Sequence, residues 1–253
     1  MKKLPFALSA VGIFLCALDI QAQETHDSFE LEGGIISTQN MEIHGFNQGD
    51  ATSDFKKSTA DVRMEYWRRE ANDWDYGVVL QPLTVNYSGR LSNTLTYHGI
   101  DYQKGDQASL HYEFPTLRLT ANYPMYQSQD SKDYIRLGGS AIVRYASVKL
   151  ATNSHSFADT NLLALPVFNV EANKSLGNSY SLFTRSDFLP SVNGNTFLDG
   201  LFDIFVGVRT QLGSGDTVDV GVRSFFGGYD PKEKDNYANR IFFNAVVVRY
   251  SWK

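Results

Sequence analysis

The sequence lacks several features that would place it in common classes of protein. It has 253 residues but a single cysteine, Cys16, so a framework of intramolecular disulfides is excluded. Its formal net charge is −5, and lysine and arginine do not cluster into the positive surface that nucleic-acid binding requires. Nucleic acid is therefore not an expected partner.

Long apolar runs are also missing once the N-terminus is set aside. From residue 23 onward there is no run of about 18 apolar residues, which excludes helical membrane spans. A chain of this kind can enter a membrane only as a closed β-barrel, because lipid offers no partner to backbone polar groups.

The first 22 residues are typical of a secretory signal peptide. Met1-Lys2-Lys3 precedes a short apolar run over 4–18, and the small residue Ala22 precedes Gln23. Leu15 is bulky for a lipidation site at Cys16, so we expect Cys16 to leave with the signal. Cleavage leaves 21 basic and 27 acidic residues and one domain over 23–253.

Alternation with period two dominates the rest of the chain. In the clearest segment Ala60, Val62, Met64 and Tyr66 share one face, and charged residues fill the other, which must point away from lipid. The pattern predicts an all-β fold, a transmembrane antiparallel up-and-down β-barrel of about ten strands. The predicted strands are 28–37, 59–69, 74–88, 106–123, 133–150, 159–173, 178–189, 196–211, 216–228 and 239–252.

Two places leave the strand prediction open. The apolar phase shifts by one residue at Phe114-Pro115-Thr116, which a β-bulge would explain and a short hairpin would explain with twelve strands. Pro166 interrupts the sixth predicted strand and removes a backbone donor there.

The connections and the aromatic residues favour a membrane barrel over a soluble β-sandwich. The shortest connections are even-numbered, as expected for periplasmic turns, and the connection over 151–158 is intermediate in length. Aromatic residues near the same ends are predicted to form a girdle at the membrane interface: Trp67, Trp74, Tyr123, Tyr134, Tyr180, Tyr250 and Trp252.

The last strand, ending Val246-Val247-Val248-Arg249-Tyr250-Ser251-Trp252, resembles the closing strand of bacterial outer-membrane β-barrels, although Lys253 follows the terminal aromatic. The segments 102–106 and 112–119 are similar to a group of uncharacterised barrel proteins of this class. The resemblance implies insertion into the outer membrane of a Gram-negative bacterium, contact with its lipid, and recognition of the last strand by the barrel-assembly machinery. It implies no activity.

The inward faces are predicted to carry a network of paired charges in the lumen, because arginine binds carboxylates through two parallel hydrogen bonds. Its predicted acids are Glu30, Glu32, Asp61, Glu65, Glu113, Glu171, Asp187, Asp199, Asp203 and Asp219. Its predicted arginines are Arg63, Arg69, Arg118, Arg136, Arg144, Arg185, Arg209, Arg223 and Arg249. Such a network either fills the lumen or lines a narrow pore for a small solute.

Candidates for chemistry are few, and no metal or cofactor is expected, because the histidines are dispersed. Ser154, His155 and Asp159 contain the residue types of a hydrolytic triad, and His98 near Asp101 and Asp106 is a weaker acid and base pair. The sequence therefore favours a non-enzymatic outer-membrane barrel, either a narrow channel or a structural or surface-interaction barrel. The alternative is an outer-membrane hydrolase that acts on lipid or peptide at the external rim.

Overall fold

Ten long strands, each antiparallel to its neighbours in sequence, form one sheet in the computed structural model. The structure describes residues 25–45, 49–50, 58–189, 201–229 and 237–252. The barrel strands are β1 (His26–Gly45), β2 (Ser58–Arg69), β3 (Asp75–Arg90), β4 (Gln107–Gln127), β5 (Tyr134–Thr152), β6 (Ser156–Gly177), β7 (Tyr180–Leu189), β8 (Leu201–Gln211), β9 (Thr217–Tyr229) and β10 (Tyr237–Trp252).

The sheet closes because the first strand pairs with the last. β1 lies antiparallel to β10, with Phe29 opposite Trp252 and Ile35 opposite Val246. Closure leaves no free edge in the ring, which is the condition for placing a sheet in lipid. The predicted ten-stranded barrel is confirmed, and the twelve-stranded alternative is wrong.

Two short strand pairs lie outside the ring. Gly49–Asp50 pairs antiparallel with the end of β1, and Leu95–Tyr97 pairs with Ile100–Tyr102 to form a hairpin between β3 and β4. We call this second pair the cap hairpin. The described residues contain no helix that is both long and apolar enough to cross a membrane.

The two ends of the barrel differ in the length of their connections. The turn end has the tight connections 70–74, 128–133, 178–179 and 212–216, and the loop end has the connections 46–57, 91–106, 153–155, 190–200 and 230–236. Short connections at one end and longer ones at the other are typical of outer-membrane barrels. The loop-end connection predicted over 151–158 is shorter than expected, because β5 and β6 continue almost to its centre.

Apolar side chains on the outside form a continuous belt in the half of the barrel nearest the turn end. Leu31, Met64, Leu137 and Val248 lie in this belt with exposed fractions of 41–52%. A closed sheet with an apolar belt has the architecture of an outer-membrane β-barrel. The exposed belt also includes Phe29, Ile35, Val62, Tyr76, Leu80, Val143, Phe168, Leu182, Ile204, Val206, Val220, Val222 and Val246.

The phase of β4 does not shift at Phe114-Pro115-Thr116, so the predicted bulge at this site is wrong. Even-numbered residues face inward from Ala108 to Asn122, and the pairing with β5 keeps one register through this region. The irregularity in β4 lies instead between Pro124 and Tyr126. The apolar residues change face because β4 leaves the membrane, where its outer surface becomes polar and its inner surface apolar.

Pro166 is accommodated inside β6 without a break in pairing. It lies opposite Ala141 of β5 and faces outward. The residues before and after it keep the same register, so the prediction of a strand through Pro166 is confirmed. The predicted signal peptide over 1–22 and Lys253 lie outside the described residues.

Close packing between β4 and β5 gives a test of the register. A Cβ atom added at Gly138 would collide with the backbone carbonyl of Ala121, whereas one added at Gly139 would lie 3.6 Å from its nearest neighbour. We expect Gly138→Ala to lower the free energy of unfolding by about 1–3 kcal/mol, because backbone cannot move aside as a side chain can. Gly139→Ala, the matched control, should change it by less than about 0.5 kcal/mol. Urea unfolding in detergent micelles measures both, and equal losses in the two variants would contradict this register.

Candidate functional site

The lumen nearest the turn end holds the charge network, which we define as the inward acids and arginines of this half of the barrel. Two centres of this network each join their own strand to three others. Asp203 on β8 accepts hydrogen bonds from Arg63 at 2.9 Å, Arg118 at 2.9 Å and Arg223 at 2.6 Å. These arginines lie on β2, β4 and β9, so one carboxylate connects strands that are distant in sequence.

Arg185 on β7 is the second centre, with the opposite sign. Its guanidinium donates to Glu30 at 2.9 Å, Glu65 at 2.5 Å and Glu171 at 2.7 Å. These glutamates lie on β1, β2 and β6. Its charge also lies 4.4 Å from the centre of the Trp67 ring, which adds a cation–π contact.

The remaining pairs extend from these two centres. Arg223 binds both oxygens of Glu32 at 2.7 and 2.8 Å, and Arg249 and Arg209 share Asp219 at 2.7–2.9 Å. Further pairs join Arg118 to Asp187 and Arg136 to both Asp75 and Glu171. Buried charges require partners of this kind, because removal from water costs each ion several kcal/mol.

The structure places most of the predicted residues in this network, with one residue that faces elsewhere, one at the edge of the lumen and one additional member. Glu113 faces outward on β4, where it contacts His111 at 3.1 Å, because odd-numbered residues of β4 face away from the lumen. Arg69 is half exposed at the turn end, where it binds Asp75. Asp75 was missed, since it stands at the start of a strand next to Trp74. Asp199 lies outside the described residues.

Two inward charged residues have no ion-pair partner among the described residues. Asp61 on β2 accepts a hydrogen bond from the Gln81 amide of β3 at 2.8 Å, and its second oxygen is buried without a partner. This hydrogen bond bridges the seam where backbone pairing between β2 and β3 has ended. Arg144 on β5 contacts no carboxylate, and its guanidinium lies 4.2 Å from the centre of the Phe114 ring.

Above the charge network the lumen is filled by apolar and aromatic side chains, which we call the apolar plug. Phe114 of β4 meets Phe225 of β9 across the barrel at 5.7 Å between ring centres. The cap hairpin places Leu95, Tyr97 and Tyr102 in the plug with no exposed surface. Further members are Ile36, Leu83, Val85, Tyr87, Leu91, Ala108, Leu110, Tyr112, Ala146, Val148, Leu150, Phe243, Ala245 and Val247. Phe183 and Phe205 belong to the same apolar cluster but lie lower, in contact with Arg209 and Arg249 of the charge network.

The lumen opens to water at the turn end as a recess of about 400 Å³. Its walls include His26, Arg69 and Thr217, and its floor includes Arg185 and Glu171 of the charge network. The recess therefore ends at the network.

Two residues predicted for the interface girdle face the lumen. Trp67 is 8% exposed and donates from Nε1 to Glu65 at 2.7 Å, and the Tyr134 hydroxyl donates to Glu171 at 3.0 Å. Trp67 has the same parity along β2 as the inward charged residues, which indicates that it faces the lumen. The girdle prediction considered only its position near the end of the strand. The other predicted members are exposed near the turn end: Trp74, Tyr123, Tyr180, Tyr250 and Trp252.

The candidate catalytic residues do not form a triad. The backbone N–H of His155 donates to Thr152 Oγ1 at 3.2 Å, and Ser154 Oγ lies 3.3 Å from the same hydroxyl. Asp159 lies instead 3.6 Å from Nε2 of His98.

The weaker pair of His98 with Asp101 or Asp106 is also not formed as predicted. The His98 ring stacks on Phe157 at 4.5 Å, and Asp101 accepts a hydrogen bond from Thr96 at 2.6 Å. The contacts of His98 with Phe157 and Asp159 hold the cap hairpin against β6, whereas the bond between Thr96 and Asp101 lies within the hairpin. The described part of the chain contains no group of three or more histidine, cysteine or acidic residues that could hold a metal ion.

Comparisons with known proteins give structural neighbours only. No family model matches the sequence, and no curated protein matches it. The chain is similar to a mutant of TodX, a monoaromatic hydrocarbon channel from Pseudomonas putida, with 10% identity, a TM-score of 0.37 and 91% of each chain covered.

Two further solved structures are similar at the same level. The translocator domain of the autotransporter NalP from Neisseria meningitidis has 9% identity and a TM-score of 0.35, with 98% of this chain and 96% of that chain covered. The attachment invasion locus protein Ail of Yersinia pestis has 6% identity and a TM-score of 0.36, with 90% and 99% covered. No function is transferred from these structures.

The Asp203 centre gives a direct test of the network. Asp203→Asn removes the charge shared by three arginines and leaves a buried excess of positive charge. We expect it to lower the free energy of unfolding by about 3–5 kcal/mol, as for other broken buried ion pairs. The matched control Asp130→Asn, in an exposed turn, should change it by less than about 0.5 kcal/mol. The urea concentration at the midpoint of unfolding, measured in detergent micelles, tests this expectation. An unchanged midpoint for Asp203→Asn would show that the network does not stabilise the barrel.

Proposed function

We propose that this chain is a sealed outer-membrane barrel that acts through the surface at its loop end, as a structural or surface-interaction protein. Export by the signal peptide over 1–22 and insertion through β10 by the barrel-assembly machinery belong to the same proposal. The observation that carries it is the filled lumen. Three arginines in the centre of the network, Arg63, Arg223 and Arg249, are at most 2% exposed.

The sealing has two layers with different chemistry. An ion that entered from the turn end would have to separate Arg185 from its glutamate partners and Asp203 from its arginine partners. It would then meet the apolar plug. A hydrophobic solute from the loop end would meet the plug and then a layer of buried charge. Neither class of solute has a favourable path, so the lumen supports a structural role better than transport.

The loop end offers a surface instead. β3 to β6 contain 16, 21, 19 and 22 residues, so this side of the barrel extends beyond the belt toward the loop end. Its outward face above the belt, which we call the outer wall, is polar. The outer wall contains Thr84, Asn86, Ser88, Arg90, Gln107, Ser109, His111, Glu113, Ser147 and Lys149.

The outer wall is ordered by its own hydrogen bonds. The His111 ring lies between the Asn86 side-chain oxygen at 2.5 Å and the Glu113 carboxylate at 3.1 Å. These contacts occupy both ring nitrogens of His111, so the cluster favours recognition over nucleophilic catalysis. Placed just above the hydrocarbon, the outer wall suits contact with the polar layer of the outer leaflet or with a surface partner.

Electrical recording tests the sealed lumen. We expect the folded protein to produce no conductance steps in planar bilayers in 1 M salt, because both layers block the ion path. Heat-dependent gel mobility of the same sample must show that the protein is folded, and a general porin in the same bilayers serves as the positive control. Regular unitary steps from the folded protein would contradict the proposal and favour the narrow channel.

Cysteine labelling tests which end faces outward. The mature chain contains no cysteine if the signal peptide leaves with Cys16, so single cysteines report without background. We expect Ser109→Cys on the outer wall to react with a membrane-impermeant maleimide on intact cells. Ser214→Cys, the matched control in a turn at the other end, should react only after the outer membrane is opened. The reverse pattern would place the outer wall in the periplasm and overturn the proposed surface role.

A further inference from the structure

Arg144 is a single charge in a row of apolar side chains. The inward residues of β5 around it are Ile142, Ala146, Val148 and Leu150, each at most 7% exposed, and Arg144 itself is 6% exposed. Thr116 of β4 lies opposite it on one side and Leu163 of β6 on the other. The guanidinium cannot become neutral at ordinary pH, so its charge is present inside the plug.

The contacts of Arg144 do not balance this charge. Its guanidinium lies over the Phe114 ring, an attraction weaker than the cost of removing the ion from water. Its Nε is buried without a hydrogen-bond partner, and no carboxylate in the described part of the chain forms an ion pair with it. All the other inward arginines of the charge network have carboxylate partners, so Arg144 is the exception among them.

Two phenol groups lie near the same place. The Tyr112 ring stacks on Phe114, the ring that Arg144 also covers, with 5.4 Å between ring centres, and Tyr87 follows Val85, the β3 residue opposite Tyr112, by two positions. Tyr87 is 1% exposed, and its hydroxyl has no hydrogen-bond partner among the residues that the structure describes. Guanidinium N–H groups only donate, and phenol hydroxyls can donate as well, so this corner of the plug has donors in excess of acceptors.

We infer that Arg144, with the hydroxyls of Tyr112 and Tyr87, binds a small monovalent anion of the size of chloride inside the lumen. One uncompensated positive charge calls for one negative charge. The neighbours Phe114 and Ile142 are 4% and 2% exposed, which favours an ion over an organic carboxylate with an attached chain. The site concerns binding within the barrel, and it does not depend on any interaction at the loop end.

Anion-dependent thermal stability tests the site. The folded protein in neutral detergent is unfolded in sodium chloride, sodium bromide or sodium gluconate at equal ionic strength, since gluconate is too large to enter. We expect chloride and bromide to raise the apparent Tm by about 2–5 °C over gluconate, the shift produced by a ligand at roughly ten times its Kd. An identical Tm in all three salts would overturn the inference.

Three variants locate the effect. Arg144→Met keeps the length of the side chain and should abolish the difference between chloride and gluconate, whereas Lys149→Met, outward on the same strand, should retain it. Tyr112→Phe should raise the chloride concentration for half-maximal stabilisation by about 3–10 fold, the loss of one hydrogen bond. A chloride effect that persists in Arg144→Met would place the site elsewhere and overturn the assignment.

Crystallography with bromide gives an answer even if Arg144→Met does not fold. The inference predicts an anomalous peak within hydrogen-bond distance of the Arg144 guanidinium in the wild-type protein. The absence of that peak in bromide-grown crystals would contradict it.

Discussion

Pairing between guanidinium and carboxylate groups inside the barrel is the interaction on which the rest of the structure depends. A ten-stranded barrel has a narrow interior, and the charges on its inward faces can enter it only if they bind one another. Asp203 and Arg185 satisfy this requirement at two centres, each of which joins its own strand to three others. Several of the strands that they connect, such as β2 with β8 and β1 with β7, are far apart in sequence, so the network links distant parts of the ring across the lumen.

The same strands meet a second requirement where they leave the membrane. In lipid the outer face must be apolar, whereas in water it must be polar, and the chain exchanges the two faces of β4 between Phe114 and Leu117 without changing register. The apolar residues that turn inward form the plug with the cap hairpin. The charge network and the plug therefore follow from the same alternation of polar and apolar residues. Inside the membrane the polar residues face the lumen, and outside it the apolar residues do.

Much of this architecture could be predicted from the sequence because alternation with period two reports directly on the faces of a strand. The segment around Met64 separated the lipid face from the lumen face, and ten such segments gave the strand count. The change of face on β4 was misinterpreted as a bulge, since the sequence does not mark where the membrane ends. Trp67 and Tyr134 were assigned to the girdle by position along the strand, although their phase placed them inward.

The contacts between distant segments could not be predicted. Nothing in the local sequence links Asp159 to His98 or folds the cap hairpin into the plug, because these contacts depend on how loops pack in three dimensions. The missing counter-charge of Arg144 likewise cannot be predicted, because only the fold determines which carboxylates lie within reach of each arginine. The alternation of residues along the sequence therefore predicts which side chains of a strand face the lumen. Which of those side chains contact one another across the lumen can be seen only in the folded structure.

The central claim is that the lumen is sealed, and the accessibility of a plug residue tests it most directly. Ala245 is 1% exposed within the plug, and cysteine adds little volume there. The rate at which Ala245→Cys reacts with a small water-soluble thiosulfonate is measured in the folded protein, against Ser109→Cys as the exposed reference. A sealed lumen predicts a rate at least about 100-fold slower for Ala245→Cys, as for a thiol whose reaction requires local opening. Comparable rates at the two positions would show a continuous water path and contradict the account.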